Sequence, residues 1–120
     1  MTTEVFQVSP EYPKSKILEM IQQEHEEIES IHDIYVVDEN NKLVGAYSLF
    51  DLLIHKKDVL IKDVMNQTDI KFLLPNTSWK EIATYMSKYN LFNVPIVDKN
   101  QELLGLVSVD DILPWLLDER

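Results

Sequence analysis

Apolar and polar residues along the chain follow a pattern that predicts two β-hairpins. Ile34–Val37 leads through a polar tip into Leu43–Tyr47, and Val94–Val97 leads in the same way into Leu103–Val107. Two short apolar runs separated by a few turn-forming residues are typical of a hairpin. The chain is therefore predicted to contain two hairpins of the same design.

A helix is predicted on either side of each hairpin. The downstream helices are predicted to start near Ser48 and Ser108, and they contain the apolar stretches Leu49–Ile54 and Val109–Leu117. Upstream, apolar residues recur at helical spacing, and Ser78 with Glu81 three residues later is typical of a capping box. The apolar face of the first upstream helix, which begins near Pro13, consists of Ile17, Leu18, Ile21 and Ile28. That of the second consists of Trp79, Ile82, Ala83, Met86 and Tyr89.

A strand-like segment precedes each upstream helix. These segments are Glu4–Val8 and Asp69–Leu74, and Asp58–Asn66 forms the junction between the two halves. The predicted order of elements is therefore β-α-β-β-α, read twice.

The chain repeats itself at an offset of 60 residues. Tyr35–Leu53 aligns with Pro95–Leu113 without a gap. The identical positions are Val37/Val97, Asp38/Asp98, Asn40/Asn100, Leu43/Leu103, Gly45/Gly105, Ser48/Ser108, Asp51/Asp111 and Leu53/Leu113. A unit of about 60 residues buries little apolar surface by itself. We therefore predict an α+β fold of two tandem repeats, residues 1–60 and 61–120, packed through their sheets.

Composition limits the functions open to the chain. Its 120 residues carry 21 acidic and 11 basic side chains, for a net charge of −10, and Arg120 is the only arginine. Such a surface repels a phosphate backbone, so no nucleic-acid partner is expected. Cysteine is absent, which excludes disulfides and thiolate catalysis. No apolar run approaches the ~20 residues of a membrane-spanning helix, so the expected location is cytoplasmic.

The motif Gly-x-x-Ser-x-x-Asp ends each hairpin and allows two interpretations. It places Ser48 and Asp51, and likewise Ser108 and Asp111, at the start of a helix. In the first interpretation these side chains only cap the helix, which is worth about 1 kcal/mol. In the second, the serine hydroxyl contacts a phosphate at the helix start and the carboxylate binds a ribose diol.

The segments IYVVDENNKLVGAYSLFDLL and VPIVDKNQELLGLVSVDDIL resemble the hairpin and second helix of cystathionine-β-synthase-type (CBS) repeats. This resemblance implies a disc of paired repeats with two clefts that bind adenosine nucleotides (AMP, ADP or ATP). It assigns Asp51 and Asp111 to the ribose, and Ser48 and Ser108 to the phosphate. The family often has arginine at the position of Phe50, which weakens the phosphate assignment in the first repeat.

A narrower resemblance is to the cytosolic CBS pair of MgtE-type magnesium transporters. It rests on the opening MTTEVFQVSP, the extended first hairpin and the close LGLVSVDDIL. It implies that acidic side chains sense Mg²⁺ and that a transmembrane domain belongs to the same parent chain. The acidic residues that it implicates as metal ligands are Asp110, Asp111, Asp118 and Glu119. The chain departs from that family at Pro114, where an acidic connecting helix is usual.

Other candidate chemistry is weaker. His25 and His32 lie seven residues apart, but no third ligand follows at a recognisable spacing, so a solvated acidic helix end is favoured over a metal site. Neither motif serine has a histidine at a predictable position for a catalytic triad. We therefore predict that the chain is not an enzyme.

Three functional hypotheses remain. The leading hypothesis is the Mg²⁺-sensing cytosolic module of a magnesium transporter. The second is an adenosine-nucleotide sensor that serves another protein, and the third is a structural dimerisation module with empty clefts. In each case a homodimer is expected, because CBS pairs commonly associate again.

Overall fold

The computed structural model describes residue 3 and residues 5–24, 32–54 and 58–118. By its contacts the chain divides into two compact units, Phe6–Ile70 (the first unit) and Lys71–Arg120 together with Met1–Val5 (the second unit). Helices and small sheets alternate in both, so the predicted α+β class with two tandem repeats is confirmed. The repeat bounds 1–60 and 61–120, and the packing of the repeats through their sheets, stay predictions.

The first unit is built around a three-stranded sheet. Its elements are β1 (Gln7–Val8), α1 (Lys14–Gln23), β2 (Asp33–Val37), β3 (Leu43–Ser48), α2 (Leu49–Ile54) and α3 (Ile61–Val64). β1 runs parallel to β2, and β2 runs antiparallel to β3. The core consists of Val8, Ile17, Ile34, Val36, Leu52 and Ile61. Strands and helices both contribute to this core, because one face of the sheet packs against the apolar stripes of the helices.

The second unit has the same plan with a smaller sheet. Its elements are α4 (Trp79–Tyr89), β4 (Asn93–Val97), β5 (Leu103–Ser108) and α5 (Val109–Asp118). β4 and β5 form an antiparallel pair. The core consists of Ile82, Met86, Val94, Ile96, Val107 and Ile112. Helix α4 begins at Ser78, whose hydroxyl accepts a hydrogen bond from the Glu81 amide at 3.2 Å, as the capping pattern predicts.

Each hairpin tip is closed by an aspartate at the same position of the repeat. The Asp38 carboxylate accepts hydrogen bonds from the amides of Asn40 and Lys42, at 2.8 and 3.0 Å. The Asp98 carboxylate does the same for Asn100 and Glu102, at 2.8 and 2.9 Å. An aspartate that bonds the amide two residues ahead forms an Asx turn. The repeated Val-Asp pair is thus explained by the turn alone.

Two predicted strands are shorter than the sequence suggests. Glu4–Val8 is reduced to β1 among the described residues, and Asp69–Leu74 makes only an isolated parallel bridge between Leu73 and Ile96. In that bridge Leu73 donates to the Pro95 carbonyl at 3.1 Å. Val97 donates in return to the Leu73 carbonyl at 3.0 Å, which completes the bridge. Pro95 has no amide hydrogen, so it cannot donate the next bond by which a parallel ladder would extend toward the start of the segment. Tyr35, the corresponding residue of the first unit, pairs with Gln7.

The junction predicted at 58–66 is an ordered linker that packs on the first unit. It contains α3, a single turn that is too short to leave a periodic pattern in the sequence. Its Asn66 pairs with Ala46 on β3 through hydrogen bonds of 2.8 and 3.1 Å. A Cβ placed on Gly45 would collide with the Met65 sulfur. The first glycine of the repeated motif therefore makes room for the linker.

Ile28 of the predicted first helix lies outside the described residues, and α1 ends at Gln23. His25, one of the two histidines considered as metal ligands, also lies outside the described residues. The other, His32, is exposed just before β2.

Candidate functional site

The motif serines stand at the junction of a strand and a helix in both units. Ser48 ends β3 directly before α2, and Ser108 ends β5 directly before α5. A backbone hydrogen bond fixes each junction, since Leu49 donates to the His32 carbonyl and Val109 donates to the Phe92 carbonyl, both at 3.0 Å. The first amide of each helix is thereby satisfied within its own unit.

In the first unit the serine is the capping residue. The Ser48 hydroxyl accepts a hydrogen bond from the Phe50 amide at 3.2 Å. Asp51 lies on the first turn of α2 and is exposed. Burial, and then the negative charge of Asp51, raise the pKa of the nearby Tyr47 hydroxyl. The Asp51 carboxylate is accessible from solvent and chemically suited to accept hydrogen bonds from a ribose diol.

In the second unit the aspartate is the capping residue. The Asp111 carboxylate accepts a hydrogen bond from the Ser108 amide at 2.9 Å, and the Ser108 hydroxyl lies 3.4 Å from the same oxygen. This is the contact that the third helical residue makes in a capping box. The structure thus brings the predicted serine and aspartate together here, and half-buries the carboxylate.

One polar residue beside each serine was not identified from the sequence. Asp33 lies opposite Ser48 in the β2–β3 register, and Asn93 lies opposite Ser108 in the β4–β5 register. Asn93 is only 5% exposed. Burial raises the pKa of the Asp33 carboxyl, while the adjacent His32 acts in the opposite direction. The signal in the sequence was a polar residue at the same place before both apolar strands.

The burial of Tyr35 supports this placement of Asp33. Tyr35 is 4% exposed, and its pKa is raised by burial and then by the charge of Asp33. Residues two apart on a strand project from the same face of the sheet. Asp33, Tyr35 and Ser48 therefore share one face.

The predicted metal ligands do not converge among the described residues. Asp110 is exposed and Asp111 bonds back to Ser108, and Asp118 ends α5. Glu119 lies outside the described residues. Within those residues, no group of three histidine or acidic side chains is placed to hold a metal.

Both units leave large apolar side chains at the surface. In the first unit Phe50 is 73% exposed and Ile54 is 72% exposed. In the second unit Phe92 and Leu113 contribute to an open apolar groove of about 350 Å³ between α4 and α5. Such patches are typical of surfaces that another protein covers. Across the described residues no helix is long and apolar enough to cross a bilayer.

Comparison with known proteins places these features in a family. The family model of the CBS domain matches residues 1–58 and 61–118. The magnesium transporter MgtE of Enterococcus faecalis is 33% identical over 119 residues, which are 99% of this chain and 26% of that protein. The chain therefore spans about a quarter of that relative's length.

Two solved structures are similar over nearly the whole chain. One is the soluble part of a magnesium transporter, with a TM-score of 0.91 and 32% identity, covering 99% of this chain and 46% of that one. The other is the cytosolic domain of the Mg²⁺ channel MgtE in complex with ATP, with a TM-score of 0.88 and 31% identity, covering 96% of this chain and 46% of that one.

Proposed function

The chain belongs to the CBS domain family, and from this premise we propose that it is the Mg²⁺-sensing regulatory module of a magnesium transporter. The observation that carries the proposal is the likeness of the whole chain to the soluble part of such a transporter. On this proposal the module lies in the cytosol, and a transmembrane domain belongs to the same parent chain. Its repeats, residues 1–60 and 61–120, regulate transport and catalyse no reaction.

The charge of the chain supports Mg²⁺ as the ligand. A net charge of −10 attracts divalent cations, and carboxylate oxygens are the ligands that Mg²⁺ prefers. Mg²⁺ usually keeps several waters and takes one or two carboxylates from a protein. Helix α5 carries carboxylates that suit such coordination, and we assign the exposed Asp110 as the first Mg²⁺ ligand. Asp111, Asp118 and Glu119 are the further ligands that we assign.

Thermal unfolding in matched salts tests the magnesium proposal. We expect 10 mM MgCl₂ to raise Tm by about 2–5 °C beyond NaCl of the same ionic strength, because binding to the folded state stabilises it. Asp110→Asn should remove at least half of that gain. Glu39→Gln, which neutralises an exposed carboxylate on the first hairpin, should leave the gain unchanged. Equal shifts in the two salts would reduce the effect to screening and contradict the proposal.

Adenosine nucleotides are the second candidate ligand, because the cytosolic domain of the Mg²⁺ channel MgtE, which is 31% identical to this chain, was crystallised in complex with ATP. We assign Ser48 and Ser108 to the phosphate, and Asp51 and Asp111 to the ribose. The second repeat is the preferred phosphate site, because exposed Phe50 stands in the first repeat where family members often carry arginine.

Calorimetric titration of ATP, ADP and AMP, each with Mg²⁺, tests these assignments. A lost charge-assisted hydrogen bond of ~1.5–3 kcal/mol predicts a ten- to hundredfold weaker affinity in Asp111→Asn. The matched variant Asp51→Asn should lose less. A larger loss in Asp51→Asn would assign the phosphate to the other repeat. No heat for any nucleotide at millimolar concentration would reject the nucleotide site and leave the ion sensor or a structural dimerisation module.

We also infer a homodimer, since exposed Phe50, Ile54, Phe92 and Leu113 favour coverage by another chain. A stable interface should bury at least about 1,000 Å². Sedimentation at high micromolar concentration should give the dimer mass, and a concentration-independent monomer would exclude it.

A further inference from the structure

The sulfur chemistry of the chain belongs to methionine, because the sequence contains no cysteine. Peroxides oxidise a methionine thioether to a sulfoxide, which is polar and is reduced back by methionine sulfoxide reductases. Met20, Met65 and Met86 lie in different surroundings. Met86 is only 4% exposed, whereas Met20 and Met65 are half-buried and therefore within reach of a small oxidant.

The Met65 side chain lies where the linker meets the sheet of the first unit. The three atoms nearest to a Cβ built on Gly45 are all from its thioether, namely Cγ, Sδ and Cε. That Cβ would collide with the sulfur, so the space between the thioether and β3 is smaller than a methyl group. The same side chain packs against the apolar core of the first unit. The sulfur is thus enclosed by a strand backbone on one side and by apolar groups on another.

Hydrogen bonds hold the backbone of Met65 on both sides. Its amide donates to the Ile61 carbonyl at 2.9 Å, and the next residue, Asn66, exchanges bonds of 2.8 and 3.1 Å with Ala46. If the Met65 backbone moved away from β3, the pairing of Asn66 with Ala46 would break. The Ala46 amide is already donated to Asn66, so it offers no hydrogen bond to a new oxygen on the sulfur.

We propose that Met65 is a site of reversible oxidation by peroxides, and that its sulfoxide releases the linker from β3. One oxygen of hydrogen peroxide forms the sulfur–oxygen bond as the peroxide bond breaks, and the other leaves as water with both protons. The sulfur is oxidised by two electrons and the peroxide is reduced. A buried polar group without a hydrogen bond is unfavourable, and the added oxygen needs space that the contact with Gly45 does not leave. Separation of Asn66 from Ala46 supplies both space and water.

Met20 provides a comparison within the same unit. It lines an open groove along α1 together with the polar side chains of Ser15, Lys16, Glu19 and Gln23. A sulfoxide oxygen there meets water and polar groups. We therefore expect Met20 to be oxidised as readily as Met65, without any effect on the linker.

Hydrogen exchange of the whole chain before and after treatment with hydrogen peroxide tests the proposal, with peptide mass spectrometry to show which methionines are oxidised. Oxidation of Met65 should accelerate exchange of the Ala46 and Asn66 amides at least about tenfold, which corresponds to about 1.4 kcal/mol. Reduction by methionine sulfoxide reductases should restore the original rates. Met20→Leu should respond to peroxide as the wild type does, and Met65→Leu should not respond.

Three results would overturn the role of Met65. The first is a native chain in which Met20 is oxidised and Met65 is not. The second is full oxidation of Met65 with unchanged exchange at Ala46 and Asn66. The third is an equal acceleration in peroxide-treated Met65→Leu, which would assign the effect to another residue. Reversal by the reductases is measured on the wild type, so the test stands even if Met65→Leu fails to fold, and it depends on neither Mg²⁺ nor nucleotide binding.

Discussion

The hairpin tips of the two repeats are chemically alike, whereas their motif helices begin differently. At the tips, Asp38 and Asp98 accept the same pair of amide hydrogen bonds. At the helix starts, Ser48 is the acceptor in the first repeat, and Asp111 is the acceptor in the second. A capping box has two hydrogen bonds, one accepted by the serine and one by the acidic residue three positions later. The motif of the first repeat makes the first bond, and the motif of the second repeat makes the second.

This difference shows which identities between the repeats reflect a structural requirement. A tight turn has one geometry that satisfies its amides, so both copies keep the same aspartate contact. A helix start has two competent acceptors, the serine at the N-cap and the aspartate three residues later. Only one of them is needed to cap the helix. In the first repeat the accessible group is Asp51.

The largest effect is expected where the linker meets the first repeat. A methyl group on Gly45 would collide with the Met65 side chain, so Gly45→Ala should destabilise the protein by about 2 kcal/mol through overpacking. In a Met65→Ala background, the same change should cost less than half as much. Urea unfolding of the four proteins of this double-mutant cycle measures the coupling. An equal loss of unfolding free energy in both backgrounds would show that Gly45 is not needed to make room for the Met65 side chain.

The sequence predicted the parts of the fold that depend on pattern. Both hairpins and the two helices after them lie where apolar runs and turn residues indicated. The short helix at Ile61–Val64 was missed, because a single helical turn is too short to show a repeating spacing of apolar residues. The strand predicted at 69–74 was too long. Its pairing is limited to the bridge between Leu73 and Ile96, because Pro95 on the partner strand has no amide to donate the next bond. That restriction lies outside the segment and is not visible in its own pattern.

A smaller effect is expected from deleting the motif aspartates. Asp111→Ala removes the acceptor of the Ser108 amide and should cost about 1–2 kcal/mol. Asp51→Ala removes only a favourable charge at the start of a helix, worth about 0.3–0.5 kcal/mol. Thermal or urea unfolding of the two variants compares them directly. Equal losses would mean that the two motifs are capped alike in solution.

The sequence identified residues of the candidate site only where the motif is repeated. Ser48, Asp51, Ser108 and Asp111 were identified because the motif occurs twice. The choice between the two acceptors depends on side-chain rotamers, which the motif does not encode. Asp33 was missed because its relation to Ser48 depends on strand register across the hairpin.

The smallest effect is expected from the pH dependence of Asp33. Because burial raises the folded-state pKa of its carboxyl above 3.8, its contribution to stability is present below pH 3.8 and is lost as pH rises through the folded-state pKa. Asp33→Asn, which copies the residue at position 93, should therefore gain stability relative to the wild type between pH 4 and pH 7. The gain should stay below about 1 kcal/mol, because solvent screens a partly exposed group.

Urea unfolding of Asp33→Asn and the wild type at several pH values measures this gain. Glu39→Gln is the control for loss of a charge in general. A stability difference between Asp33→Asn and wild type that narrows as pH rises would contradict the assigned direction of the pKa shift.

The linker after residue 60 completes the first compact unit and shields one edge of its sheet. The sequence period is 60 residues, but the first compact unit extends to Ile70, and Asn66 covers the β3 edge at Ala46. A chain cut at the period would leave that edge open to pairing. The residues after the period therefore complete the first unit, and we expect a half-chain without them to associate edge to edge.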